Sequence, residues 1–284
     1  MGIDVRRHDT ARDFLDACGA TLRRRPVANQ LPIAIADRCA IDPDAYGGQV
    51  RLWTAWRDGA NAGAALQTLP WPVQLAESEP DAAAALGAAF AQHHAPIPAV
   101  AGPDPAPEHF AAAYAAACGA TYARDIGLGT FELERVADLP AMPGRRVVAG
   151  GEHVALVQAW LRAFHDEATP HDPPTADTAA ARAVTGARAH LWLDERDRPV
   201  AIAFTNREVE NWTSIGPVYT PPELRGRGYA TAVVAALSRH LLDLGRTGCT
   251  LFTNLANPIS NAIYERIGYR RVGTSTRYGF GAGR

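Results

Sequence analysis

The chain has 284 residues, 47% of them hydrophobic and 20% charged, a composition that folds around a sizeable core and is not that of a disordered segment. Its 28 Lys and Arg against 30 Asp and Glu leave a formal net charge of -2, so no overall field draws it to nucleic acid or an anionic membrane, and anion binding must be local. No apolar run is long enough to span a bilayer and no secretory signal pattern opens the sequence, so a soluble cytoplasmic protein without membrane or nucleic-acid partners is expected.

In chain order, "DFLDACGATL" repeats apolar residues at helical intervals through Phe14, Leu15, Cys18 and Leu22, with Asp9 or Thr10 as N-cap. "QVRLWTAWRDGANAGAALQTL" reads as two strands around the turn Arg57-Asp58-Gly59, and "PVQLAES" as a third. Two alanine-rich helices follow near residues 81 to 93 and 106 to 118, separated by the proline-rich "APIPAVAGPDPAP", and "FELERV" is a closing strand. The Pro- and Gly-rich "ADLPAMPGRRVVAGGE" is the best place for a domain boundary, with the cut near Val136.

Beyond it, Val154, Val157, Trp160, Leu161 and Phe164 share one helical stripe, and "AHLWLDERDRPVAIAFT" is a hairpin turning at Arg196-Asp197-Arg198. The strand "WTSIGPVYT" leads into "PPELRGRGYA", and a helix follows with Ala230, Val233, Val234, Leu237, Leu241 and Leu244 on its apolar stripe. A short strand at Leu251 to Thr253 precedes a compact helix: Asn257 is its N-cap, Pro258 its first residue, Gly268 its end, and Ile259, Ile263 and Ile267 recur four apart.

One pattern occurs twice. Aligning Leu52-Trp53 with Leu191-Trp192 also matches Arg57-Asp58 to Arg196-Asp197, and Ala62 and Ala64 to Ala201 and Ala203. Where the second copy has "PPELRGRGYATAVVAAL", the first has "LAESEPDAAAAL" and lacks the arginine-glycine turn.

A glycine-rich turn between a strand and a helix leaves backbone N–H groups unpaired and aimed one way, and the helix dipole adds partial positive charge. Gly226 and Gly228 allow close approach, and Arg225 and Arg227 can neutralise phosphate oxygens, so the natural guest is a diphosphate; a solvated basic turn is the bland alternative. The four cysteines, Cys18, Cys39, Cys118 and Cys249, are far apart and suggest buried thiols rather than a metal knuckle or disulfides. No diagnostic ligand spacing points to a metal.

Residues 215 to 272 resemble the GNAT acetyltransferase superfamily. Arg225-Gly226-Arg227-Gly228-Tyr229-Ala230 matches its arginine-or-glutamine, two variable residues, glycine, variable residue, glycine-or-alanine signature, and Asn257, Ser260, Ile263-Tyr264 and Gly268-Tyr269 match its later series. The resemblance implies an α/β GNAT fold, a mixed sheet flanked by helices, in tandem copies. Residues 1–136 would be a degenerate copy serving acceptor binding, packing or dimerisation, and 137–284 the acetyl-CoA-binding domain.

It further implies acetyl-CoA as co-substrate, held in a gap between splayed strands. Val218, Tyr219 and Thr220 would lie along the pantetheine, Arg225 to Ala230 would cradle the diphosphate, and Asn257 and Ser260 would contribute from the last helix. A backbone N–H at Val218 would polarise the thioester carbonyl, and Tyr264 would protonate the departing sulfur. The base is open: "FHDEATPHD" offers His165, Asp166, Glu167, His171 and Asp172, with Glu167 or His165 able to relay a proton through water. A solvated acidic loop is the plain alternative. Trp53, Trp56, Trp71 and Trp212 either line an acceptor cleft or pack in the core. The function expected is acetyl transfer to a small-molecule amine by a monomer or homodimer, by direct attack in a ternary complex. The competing expectation is a non-catalytic protein that senses CoA or sequesters a ligand.

Overall fold

A computed structural model describes residues 2–168 and 176–281. The chain divides into two compact units: Met1–Thr130 with Asn254–Ala256 and Arg271–Arg284, and Phe131–Thr253 with Asn257–Arg270. The first is built from β1 (Asp4–His8), α1 (Ala11–Leu22), α2 (Gln30–Ile41), β2 (Val50–Arg57), β3 (Ala60–Thr68), β4 (Val73–Leu75), α3 (Pro80–His94), β5 (Ala99–Pro103), α4 (Ala106–Cys118) and most of β6 (Thr121–Leu133). The second repeats that order with β7 (Arg145–Val148), α5 (Val154–Ala168), α6 (Ala176–Thr185), β8 (Ala189–Leu193), β9 (Pro199–Val209), β10 (Trp212–Tyr219), α7 (Tyr229–Asp243), β11 (Gly248–Asn254) and α8 (Pro258–Ile267). The last strand, β12 (Arg270–Gly281), returns to the first unit and pairs antiparallel with β5, Ser275 opposite Pro103 and Gly279 opposite Ala99.

Within each unit the strand pairing is mixed. In the first unit β1 to β4 pair antiparallel in sequence and β4 joins β5 in parallel; in the second β7 to β10 pair antiparallel and β10 joins β11 in parallel. Alternation along the strands of the second unit builds a core on each of their faces. Trp192, Ala201 and Ala203 face Val233, Val234 and Leu237 of α7, whereas Leu191, Leu193, Ile202 and Phe204 face Val157 and Trp160 of α5. In the first unit Trp53, Ala65 and Val100 pack with Leu86 and Phe90 of α3 and Phe110 of α4. Phe90 and Phe110 are fully buried, each worth about 2–3 kcal/mol of transfer free energy.

Some sequence expectations give way here. The proline-rich separator contains β5, whose Val100 is wholly buried, because neighbours on both sides outweigh local turn propensity. The Pro- and Gly-rich boundary stretch contains β7, paired with β8 from Arg145 opposite Leu193 to Val148 opposite His190. The first half of "FELERV", Phe131 to Leu133, is the end of the longer β6, and Glu134 to Val136 lie beyond it. Leu244 lies beyond the end of α7 and is 65% exposed. Ile259 is 74% exposed although Ile267 is buried: residues four apart drift about 40° per step on a 3.6-residue helix, so the stripe turns out of the core. Trp53 and Trp212 are core residues.

Candidate active site

The strands β10 and β11 pair only over Trp212–Ser214 against Gly248–Thr250. Past Ser214 they no longer pair among the described residues, while β10 stays on β9 through a shift in register from Ile215 opposite Thr205 to Val218 opposite Ala203. The extra residue lies at Gly216-Pro217, where proline has no N–H to give a ladder and glycine, at φ 147°, takes a backbone angle that side chains disfavour. A bulge at this point increases local twist, and the residues from Ile215 to Tyr219 are left with one unpartnered edge.

Those residues feed the arginine-glycine turn. Residues Pro222–Leu224 form a single 3-10 turn, and Gly226 (φ 75°) and Gly228 (φ 83°) take the left-handed conformation that glycine adopts without strain. Gly228 is the N-cap of α7 and has no side chain to satisfy the first-turn amides, which a helix itself cannot satisfy. A Cβ at Gly228 would stand 2.7 Å from Met142 Cε, so the turn is packed against a residue of the Pro- and Gly-rich boundary stretch. At the head of the turn Thr220 Oγ1 is buried with no hydrogen-bond partner among the described residues.

The two arginines differ. Arg227 Nη2 donates a long 3.3 Å bond to the Glu223 carbonyl. Arg225 is held three ways: Nε donates to the Thr220 carbonyl at 2.9 Å, Nη2 to both oxygens of Glu167 at 2.7 and 3.0 Å, and the guanidinium lies 5.7 Å from the Tyr219 ring centre. Tyr219 in turn meets Trp160 of α5, with ring centres 6.2 Å apart. Glu167, in the last turn of α5, therefore faces the turn with both oxygens engaged by a cation. Nothing in the sequence signalled this pair, since 58 residues separate its members.

Tyr264 of α8 is 9% exposed, inside the core cluster on which Val218, Leu224 and Tyr229 pack, and edge-on to Tyr269 with ring centres 6.0 Å apart. Burial pushes its phenol up to about 12, so it keeps its proton across the whole neutral range. The neighbouring phenol of Tyr269, also raised by burial, bonds to Ser238 Oγ at 2.9 Å and is a structural group. Asn257 and Ser260 are occupied with capping α8: Asn257 Oδ1 accepts from the Ser260 amide at 3.2 Å, and Ser260 Oγ donates to the Asn257 carbonyl at 3.4 Å. His165 and Asp166 lie in the last turn of α5; His171 and Asp172 fall outside the described residues.

Known proteins resemble this chain in sequence or fold. A profile of the FR47-like protein family matches residues 196–278, a span that includes the whole turn and Tyr264. Mycothiol acetyltransferase of Paenarthrobacter aurescens (strain TC1) is 28% identical over 139 residues, which is 43% of this chain and 42% of that protein, so the match spans well under half the relative's length. A GCN5-related N-acetyltransferase from Sphaerobacter thermophilus aligns with a TM-score of 0.61 at 16% identity, covering 99% of this chain and 96% of that one. A tandem GNAT protein from the clavulanic acid biosynthesis pathway aligns at 0.54 and 15% identity, covering 99% of each. The chain has a tandem GNAT fold. The GNAT fold accounts for the repeated element order and for the splayed parallel pair in the second copy.

Proposed function

We propose that the protein transfers an acetyl group from acetyl-CoA to the amine of a small molecule, by direct attack in a ternary complex. The observation that carries this is the break in pairing between β10 and β11 after Ser214, immediately ahead of an uncapped, glycine-lined helix start with two arginines. The donor set fits a diphosphate: first-turn amides of α7 with no side-chain cap, the N-terminal end of its dipole, and charge from Arg225 and Arg227. The buried hydroxyl of Thr220 and the open edge of Val218 to Thr220 offer polar partners to an extended amide chain such as pantetheine, which would lie as a substitute strand. When bound, the coenzyme supplies the activated acyl group.

The residues then divide the work. The Val218 amide polarises the thioester carbonyl as a fixed donor. Tyr264, held protonated by burial, is the acid for the departing sulfur. In this reading Gly226 to Ala230 bind and orient the diphosphate, and Asn257 and Ser260 fix the start of α8 beside it. The first copy is a degenerate domain that serves acceptor binding or assembly, and the protein works in the cytoplasm as a monomer or homodimer.

The test is release of free CoA thiol on incubation with acetyl-CoA and a panel of small amines, followed by mass spectrometry of the acceptors. Acetylated amine with stoichiometric thiol is the expected result. Tight CoA binding without turnover on any amine would replace catalysis with coenzyme sensing.

A further inference from the structure

Glu167 has both oxygens on Arg225, an arrangement unsuited to a base awaiting a proton. Three fixed contacts hold that guanidinium: the Thr220 carbonyl on Nε, the carboxylate on Nη2 and the Tyr219 ring on its face. The geometry points to Glu167 as an internal stand-in for phosphate: its carboxylate occupies on Arg225 the place that a diphosphate oxygen of the coenzyme takes, and binding exchanges one anion for the other. The inference rests on the coenzyme reading of the turn.

Magnitudes favour the exchange. The pair is about half exposed, 47% for Arg225 and 45% for Glu167, and such surface pairs are worth little. A phosphate also takes the α7 amides, so it wins the guanidinium while giving up only that small term. The carboxylate keeps Arg225 folded against Tyr219 and neutralises the turn until the coenzyme arrives. Its consequence is a penalty on coenzyme affinity of about fivefold, which corresponds to about 1 kcal/mol.

Calorimetric titration of the full chain with CoA alone, in four forms, tests this. Against wild type, Glu167→Gln should bind CoA about fivefold tighter and Arg225→Gln more weakly. In the double variant the Glu167→Gln gain should vanish, since there is no guanidinium left to release. Equal or weaker binding by Glu167→Gln overturns the inference, as does an unchanged gain in the Arg225→Gln background, which would be long-range charge removal. Unchanged CoA affinity with a lowered kcat and a lost acidic limb in the pH profile would return Glu167 to proton transfer. No binding by wild type removes the coenzyme reading itself, and the inference with it.

Discussion

The two copies place different chemistry at the same point of the fold. Both run from a strand of a parallel pair, through a turn, into a 15-residue helix, α3 in the first and α7 in the second. In the first the turn is acidic and its amides are used: Glu77 N donates to Asn29 Oδ1 at 2.7 Å and Glu79 N to the Ala62 carbonyl at 2.8 Å, while Pro80 has no N–H. Glu79 and Asp81 stand at the helix start and share Arg57, so the dipole is met by protein carboxylates and a phosphate would be repelled. The parallel strands β4 and β5 pair over only two positions, Val73–Val100 and Gln74–Ala101, but they remain close at the end of β4, where a Cβ on Gly102 would stand 2.8 Å from Leu75. Behind them α3 meets α4 backbone to backbone at Gly87 and Phe110. The second copy has a break in the strand pair, glycines where the first has carboxylates, and, among the described residues, a helix start with no side-chain cap. On the proposed reading the fold alone makes no coenzyme site; an open edge and an unfilled helix start do.

The largest effect should come from the tyrosines. Tyr264→Phe removes the proposed acid and should lower kcat by about 10²-fold or more with CoA affinity unchanged. Tyr114 of α4 is spent on structure, its oxygen accepting from the Ile97 amide at 3.0 Å, so Tyr114→Phe should leave kcat alone and lower stability. Steady-state kinetics beside thermal melts separates the two copies, and equal loss of kcat in both would dissolve the distinction.

A buried histidine of the second copy gives the next effect. His190 is 4% exposed, accepts from Arg146 Nη1 through Nδ1 at 2.8 Å, and is lowered to about 4 by burial, then by Arg146 and His240. Below pH 6.5 the unfolded chain binds this proton and the folded one does not, so stability falls as pH drops from 6.5 toward 4, by up to about 3 kcal/mol. Denaturant melts at pH 7 and pH 5 should show this fall in wild type and a smaller one in His190→Gln. In the first copy, Asn29→Ala strips the acceptor from Glu77 N and should cost about 2 kcal/mol in the same melts, with no change in CoA affinity.

The elements around the site were legible because their signals are local. Arg225-Gly226-Arg227-Gly228 and Asn257-Pro258 through Gly268 specify a turn, a cap and a stop from adjacent residues, and the structure places all of them so. What was not legible depends on distant partners. The strand β5 was hidden among prolines, because its place comes from β4 and β12, the latter more than 160 residues away. The tie from Glu167 to Arg225 and the support of Gly228 by Met142 are contacts between segments that no spacing rule relates. The closure of the first copy is likewise written in packing at Gly87 and Gly102, not in any motif.

The smallest predicted effect probes the comparison most directly. Arg227→Glu gives the second turn the sign of the first while leaving its glycines, its cap and the break in the strands intact. Among the described residues Arg227 makes one weak bond, to the Glu223 carbonyl at 3.3 Å, so the fold loses little and melts should be within about 0.5 kcal/mol of wild type. If charge at the helix start separates the copies, CoA should bind about tenfold more weakly, and the loss should shrink between low salt and 0.5 M salt as the Debye length contracts. If the open strand edge alone decides, affinity should stay within twofold at every salt concentration. The first outcome makes the carboxylates at Glu77, Glu79 and Asp81 sufficient to silence a copy; the second assigns that silence to the strands at Leu75 and Gly102.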